Sequence, residues 1–266
     1  MIFSVPKNEK RSPLMVMKDV IFALLLREVK TRFGAFRLGI FWALAEPMAH
    51  VLLFTVLFGV RAREGFGSVE TPVFIFTGIM PFLLFQNLFG KCKAACSANR
   101  GLFHYRYVKP INTFIARTLL ETGIFIFTSV CLLTLFFWVG FQIQVYDILS
   151  CILVIFLLGV MASSLGICAA FLIEFFPESD KFLSIAMKPM LFISGVFYTL
   201  DMIPTQYHHF LLWNPVLHAI ELFRTAFIES FETQHASLFY LFLVALGSLF
   251  LALRLYRSHW TRMVAT

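Results

Sequence analysis

Charge is scarce in this sequence. Asp, Glu, Lys and Arg make up 14% of its 266 residues against 59% apolar ones, whereas a soluble domain carries about 25% charged residues. An ordinary soluble fold is thereby excluded. Groupings that carry chemistry are lacking too. The one Gly-Lys pair, Gly90-Lys91, precedes Cys92 and has no glycine five residues upstream, so the chain has no P-loop and is not expected to hydrolyse ATP by itself. There is no His-Glu-x-x-His, no Gly-x-Ser-x-Gly and no acidic cluster of the kind that holds a divalent metal. Cysteines number five, and none falls in a segment expected on the outer side, which argues against a disulfide framework. Cys92 and Cys96 share a helical face, but no third Cys or His stands at ligand spacing, so no metal site is expected.

What is abundant is apolar length. A bilayer core about 30 Å thick needs roughly 20 apolar residues per helix, and six stretches qualify: 36–60, 73–89, 111–139, 148–172, 182–200 and 237–256. The expected fold is all-α and integral to a membrane. Of 22 Lys and Arg, sixteen fall in segments 1–37, 90–110, 173–181 and 257–266, and only Arg61, Arg63 and Arg224 in the intervening loops. The positive-inside rule then places both termini in the cytoplasm. The net charge of +7 records topology and an anionic leaflet rather than a nucleic-acid partner. The first apolar run is too long for a cleavable signal and is expected to stay in the membrane.

Along the chain, residues 1–15 read as a flexible lead and 16–35 as an interfacial amphipathic helix, with Val16, Val20, Leu24 and Leu25 set against Lys18, Arg27, Lys30 and Arg32. Residues 36–256 form the transmembrane domain and 257–266 a cytoplasmic tail. In the first span Gly39, Trp42, Glu46 and His50 fall within an arc of about 80°. In the fifth, Ser184, Lys188, Gly195 and Tyr198 share a face, with Pro189 loosening the helix. Two readings fit these stripes: two walls of a pathway, or Glu46 and Lys188 neutralising each other inside a bundle. Arg117 and Glu121 have the spacing of a structural i,i+4 pair. Gly159 with Ser163 and Ala162 with Gly166 permit close helix packing. Segment 201–236 reads as an outer re-entrant helical hairpin, with Asn214-Pro215 as N-cap and first turn. Val216, Ile220, Phe223, Phe227 and Phe231 form its apolar face, and His218, Glu221 and Glu229 its polar side.

Several of these motifs together resemble the permease subunits of type-2 ABC exporters. They are Arg27, Lys30, Arg32 and Phe33 in the leader; Leu38-Gly39, Trp42 and Glu46-Pro47 opening the first span; and Asn214-Pro215 with Glu221 and Arg224. Within that class the chain is most similar to capsular-polysaccharide export permeases, a likeness that includes Ser194–Tyr198, SGVFY. The resemblance implies a homodimer seated on two cytoplasmic ATPase subunits, which bind ATP and Mg²⁺ while this chain binds no cofactor. It implies a lipid-linked polysaccharide as substrate, the inner membrane as location, and periplasmic and outer-membrane export proteins as further partners. It also implies that the loop after the second span is a coupling helix seated on the ATPase. Here Asn99 and Arg100 are its polar start, Leu102 and Phe103 its apolar knob, and Arg106, Lys109 and Pro110 its end.

Under that reading the polar-stripe side chains Trp42, Glu46, His50, Phe54, Lys188, Tyr198 and Trp213 are candidates for the substrate path, since aromatic faces stack on pyranose rings without a fixed register. Arg27, Lys30 and Arg32 are candidates for the acidic lipid end of the substrate or for the ATPase. Competing expectations are an O-antigen or teichoic-acid permease, a membrane-embedded enzyme using Glu46, His50 and Lys188 as acid/base groups, and a proton-coupled transporter using Glu46 and Lys188 as carriers.

Overall fold

The computed structural model describes residues 12–34, 39–59, 70–105, 107–141, 143, 145–229, 231, 233 and 235–265. Leu38, Arg61, Arg63, Arg106 and most of the expected flexible lead lie outside the described residues. The described chain is helical, with no strand among the described residues. Its helices are α1 (Pro13–Phe33), α2 (Gly39–Gly59), α3 (Thr71–Lys93), α4 (Ala95–Asn99), α5 (Pro110–Val139), α6 (Ile148–Phe175), α7 (Ser179–Ile193), α8 (His208–Leu211), α9 (Pro215–Phe227) and α10 (Leu238–Ala265). Four of them, α3, α5, α6 and α10, are long and apolar enough to cross a membrane, and α2 carries a shorter apolar stretch, Leu44–Phe58.

Helix α3 is the axis of the fold. Nearly every side chain from Val73 to Phe85 is buried, and it packs most extensively against α6, which in turn packs against α10. The approach of α3 to α6 depends on Gly166, where an added Cβ would lie 2.7 Å from Cys92 Cβ and 2.8 Å from the Phe89 carbonyl. The expected small-residue seam is thus real at Gly166. Gly159 plays no such part, because its nearest neighbour would be 3.7 Å away. α3 also outruns the apolar stretch 73–89 that announces it. Lys91 and Lys93 extend its last turn, where cations oppose the negative end of the helix dipole.

Local capping sets several boundaries. Ser12 accepts from the Met15 amide at 3.3 Å with Pro13 in the first turn, so α1 starts three residues before Val16. Asp147 caps α6 by accepting from the Leu149 and Ser150 amides at 3.0 and 3.1 Å. The Ser150 hydroxyl, together with those amide bonds, holds its carboxyl below the usual carboxylate range. Asn214 caps α9 through the Val216 amide at 3.0 Å, with Pro215 next, as its sequence announces.

The apolar run 182–200 is not one helix. α7 stops at Ile193 with Ser194 as C-cap, and Gly195 follows at φ 71°, a left-handed conformation that glycine adopts without strain. Gly195 and Tyr198 therefore leave the face they were expected to share with Ser184 and Lys188. Fifteen residues rise only about 22 Å, short of the hydrocarbon thickness. α7 has no buried residue at all. α9 shows the converse: of its expected polar side, His218 and Glu221 are as buried as the apolar face, while Glu229, past the end of the helix, is exposed. A helix packed against α3, α6 and α10 has little face left for solvent, and its polar groups are met internally. His218 Nε2 lies 2.9 Å from the Leu212 carbonyl, and its Nδ1 accepts from the Ser237 amide at 2.9 Å.

Candidate functional site

The end of α3 and the loop from it to α5 are tied by polar contacts to α1, α5, α6 and α7. Asn99, at the end of α4, accepts from Arg27 Nη1 of α1 at 2.6 Å and donates to the Ala95 carbonyl at 2.9 Å. Arg100 pairs with Glu174 near the end of α6 at 2.8 Å. Lys93 pairs with Asp180 of α7 at 2.7 Å and donates to Ser184 at 2.9 Å. Arg117 of α5 donates to the Lys91 carbonyl at 2.6 Å and pairs with Glu28 of α1 at 3.1 Å. The Arg117–Glu121 pairing expected from helical spacing is not made. Both residues reach across to α1 instead, Arg117 to Glu28 and Glu121 to Arg32. Two neighbouring residues of one helix gain more by docking a second helix than by pairing on an otherwise apolar face, since each then satisfies a charge that burial would leave exposed to hydrocarbon. Glu28, Arg32, Lys91, Arg117 and Glu121 border a polar cavity of about 240 Å³ beneath α1.

This arrangement redistributes the residues assigned to the apolar knob. Phe103 is only 5% exposed and sits in a cluster with Cys92, Ala95, Cys96, Phe114 and Phe171. Asn99 and Pro110 are buried as well, and Leu102 is half-buried. The knob packs inward, where Phe103 fills a small core shared with the ends of α3, α5 and α6. What the loop presents outward is Arg100, His104, Tyr105, Tyr107 and Lys109, with Arg106 outside the described residues. Burial pushes the Cys96 thiol up to about 12, so it stays protonated at neutral pH, a poor nucleophile and a poor metal ligand.

Of the three leader cations, Arg27 and Arg32 are bound to Asn99 and Glu121, while Lys30 is exposed on α1. On α2, Trp42 is 63% exposed and lies edge-on to Phe41. Glu46 is exposed and borders a small cavity of about 30 Å³ shared with Arg32, Asn87, Glu121 and Thr128. Lys188 is exposed on α7, and among the described residues no ion pair joins it to Glu46. His50 stacks on Phe54, and Phe54 meets Phe197 with ring centroids 4.4 Å apart. The aromatic partner of α2 is therefore Phe197 rather than Tyr198, whose hydroxyl donates to the Ile193 carbonyl at 3.2 Å. Trp213 is 83% exposed at the start of α9.

The SGVFY turn, Ser194–Tyr198, and the start of α9 bond to each other. Asn214 donates to the Ser194 hydroxyl at 2.9 Å. Arg224, fully buried, donates to the carbonyls of Gly195, Val196 and Tyr198 at 2.7, 2.6 and 3.0 Å, with its guanidinium 4.0 Å over the Phe74 ring. Glu221 accepts from the Leu200 amide at 3.3 Å. Arg224 thus acts as a staple between the SGVFY turn, α9 and α3. Its position four residues after Ile220, on the apolar face of α9, is a signal the sequence carries. The roles of Glu28, Lys93, Glu174, Asp180 and Phe197 have no such signal, because each meets a partner far away in the chain.

Residues 19–228 match the family described as ABC-2 type transporter. The chain is 39% identical over 256 residues to the polysialic acid transport protein KpsM of Escherichia coli, covering 96% of this chain and 99% of that one. It is 29% identical over 243 residues to the capsule polysaccharide export inner-membrane protein CtrC of Neisseria meningitidis, covering 90% and 91%. It is 25% identical over 247 residues to the capsule polysaccharide export inner-membrane protein BexB of Haemophilus influenzae, covering 93% of each. An all-helical fold with helices long and apolar enough to cross a membrane, the end of α3 and the loop after it braced to neighbouring helices, and a family match across most of its length agree: the chain belongs to the ABC-2 type transporter family.

Proposed function

We propose that this protein is the transmembrane permease subunit of an ABC exporter that carries lipid-linked capsular polysaccharide across the inner membrane, driven by a separate ATPase subunit. The observation that carries this reading is the 39% identity, end to end, with a polysialic acid transport protein. In this reading the permease works as a homodimer on two ATPase subunits, which supply ATP and Mg²⁺, and hands the polymer to periplasmic and outer-membrane export proteins. α2 and α7 join the four long helices as six crossings, with both termini cytoplasmic. The Ser194–Thr199 turn and α8–α9 complete the short fifth crossing as an outer hairpin. The exposed inner-loop side chains Arg100, Tyr105, Tyr107 and Lys109 meet the ATPase, and Trp42, Glu46, His50, Phe54 and Lys188 border the path. Supporting the path is their place on α2 and on the unburied α7, two helices with faces not used up by packing within the chain.

Deleting the gene and analysing cell-surface and cytoplasmic glycans tests this directly. Polymer trapped inside, of a composition that matches the missing capsule, is expected. Unchanged surface capsule with altered lipopolysaccharide would transfer the protein to O-antigen export, and polymer that is never made would favour an enzyme.

A further inference from the structure

Helix α7 is held in an unusual way for a helix in an apolar chain. None of its fifteen residues is buried. Between it and α3, α6, α9 and α10 lies an open apolar groove of about 580 Å³, with Phe89, Cys168, Leu172, Met187 and Met190 among its walls. Packed interiors leave few gaps larger than a water molecule, so within this chain α7 is not held against α3 and α6 by close packing. Its ends are short links: Phe176–Glu178 joins it to α6, and Gly195, at φ 71°, joins it to the turn stapled by Arg224. Pro189 removes one backbone donor within it.

The lateral tie between α7 and the end of α3 is Lys93. Its side chain is 13% exposed, and its ammonium contacts the Asp180 carboxylate at 2.7 Å and the Ser184 hydroxyl at 2.9 Å, two groups one helical turn apart on α7. Lys93 ends α3, and Ala95 begins α4 two residues later, so the same short segment holds α7 through Lys93 and α6 through Arg100. Asp180 is 52% exposed. Such a half-solvated pair contributes too little to hold a fold together, yet it is enough to bias a helix that packing leaves free.

We propose that Lys93 is a positioning residue that couples the end of α3, and the loop that follows it, to α7, setting how far α7 stands off the apolar groove. Displacement of the loop by the ATPase is then passed to a wall of the transport path. This rests on the reading of the loop as the ATPase contact.

The test uses the full complex of permease and ATPase in membranes, with Lys93→Asp, Asp180→Lys, the double exchange, Lys93→Arg and Asp180→Asn. Polymer exported per ATP hydrolysed is expected to fall roughly tenfold in either charge reversal, as for a typical coupling between two sites. It should recover to near the starting ratio in the double exchange and be kept by Lys93→Arg. A position readout comes from cross-linking native Cys168 to Met187→Cys with a bifunctional thiol reagent. The yield should change on adding ATP, and lose that change with Lys93→Asp. Single reversals that export at the normal ratio, or a double exchange no better than the singles, overturn the proposal. Should Lys93→Asp lower the amount of permease in the membrane, Asp180→Asn, on a half-exposed carboxylate, reads the same loss without it. If the complex moved no polymer yet the ATP-dependent cross-link still depended on Lys93, the functional reading would fail and the coupling would stand.

Discussion

Arg224 concentrates more of the fold than any other single side chain described. Three carbonyls of one turn accept from it, and no water can replace it in a site with zero exposure. Arg224→Leu should leave those acceptors unsatisfied, at about 1–3 kcal/mol each. The expected result is a permease that fails to accumulate in membranes or melts far lower in detergent. Gly78→Ala should act on the same staple, because its Cβ would lie 2.6 Å from Arg224 Nη2 and against the Val196 carbonyl. Gly159→Ala, with 3.7 Å to its nearest neighbour, should be neutral or slightly stabilising in the same melting experiment. Phe103→Ala should cost about 3 kcal/mol as a core truncation, seen as lower thermal stability before any change at the ATPase. Cys96, its thiol held protonated by burial, should resist maleimide at pH 7 until the protein is denatured. Labelling of the native permease at Cys96 would contradict the packing of the inner loop.

At the scale of elements, pattern and packing parted company in two places. An amphipathic reading expects one wet side on α9, and periodicity had no way of showing that α3, α6 and α10 would enclose it. The opposite holds for the stretch 182–200, which reads as a span but whose helix ends early and lies unburied, since a left-handed glycine and the acceptors taken by Arg224 break the run. The inner loop reversed the roles of its aromatics in the same way. Phe103 went inside, and Tyr105 and Tyr107, 66% and 65% exposed, stayed out. A Tyr105→Ala, Tyr107→Ala double variant should therefore remain folded and inserted, while less ATPase co-purifies with it. Undiminished co-purification together with normal export would move the contact elsewhere.

For the whole molecule, orientation is the property most directly written in the residues. Sixteen basic residues against three predict that an impermeant thiol reagent added to intact spheroplasts labels Trp213→Cys. Tyr105→Cys should be labelled only after permeabilisation, and the reverse pattern would invert the topology. Helical class, span candidates, the Asn214 cap and the family likeness were legible in the sequence because each depends on residues close together in the chain, through apolar length, helical period or a cap three residues long. The bracing of the inner loop was not, because Lys93 and Asp180, Arg100 and Glu174, or Arg32 and Glu121 stand some 75 to 90 positions apart, and charge alone does not name a partner. By itself the sequence determined that this chain is helical, with apolar runs long enough to cross a membrane, since apolar length is a sum over composition and order. Which charges meet, which aromatics face inward and which helix stays loose were decided only by the tertiary structure, because hydrogen bonds and close packing act over a few ångströms and depend on where distant segments come to lie.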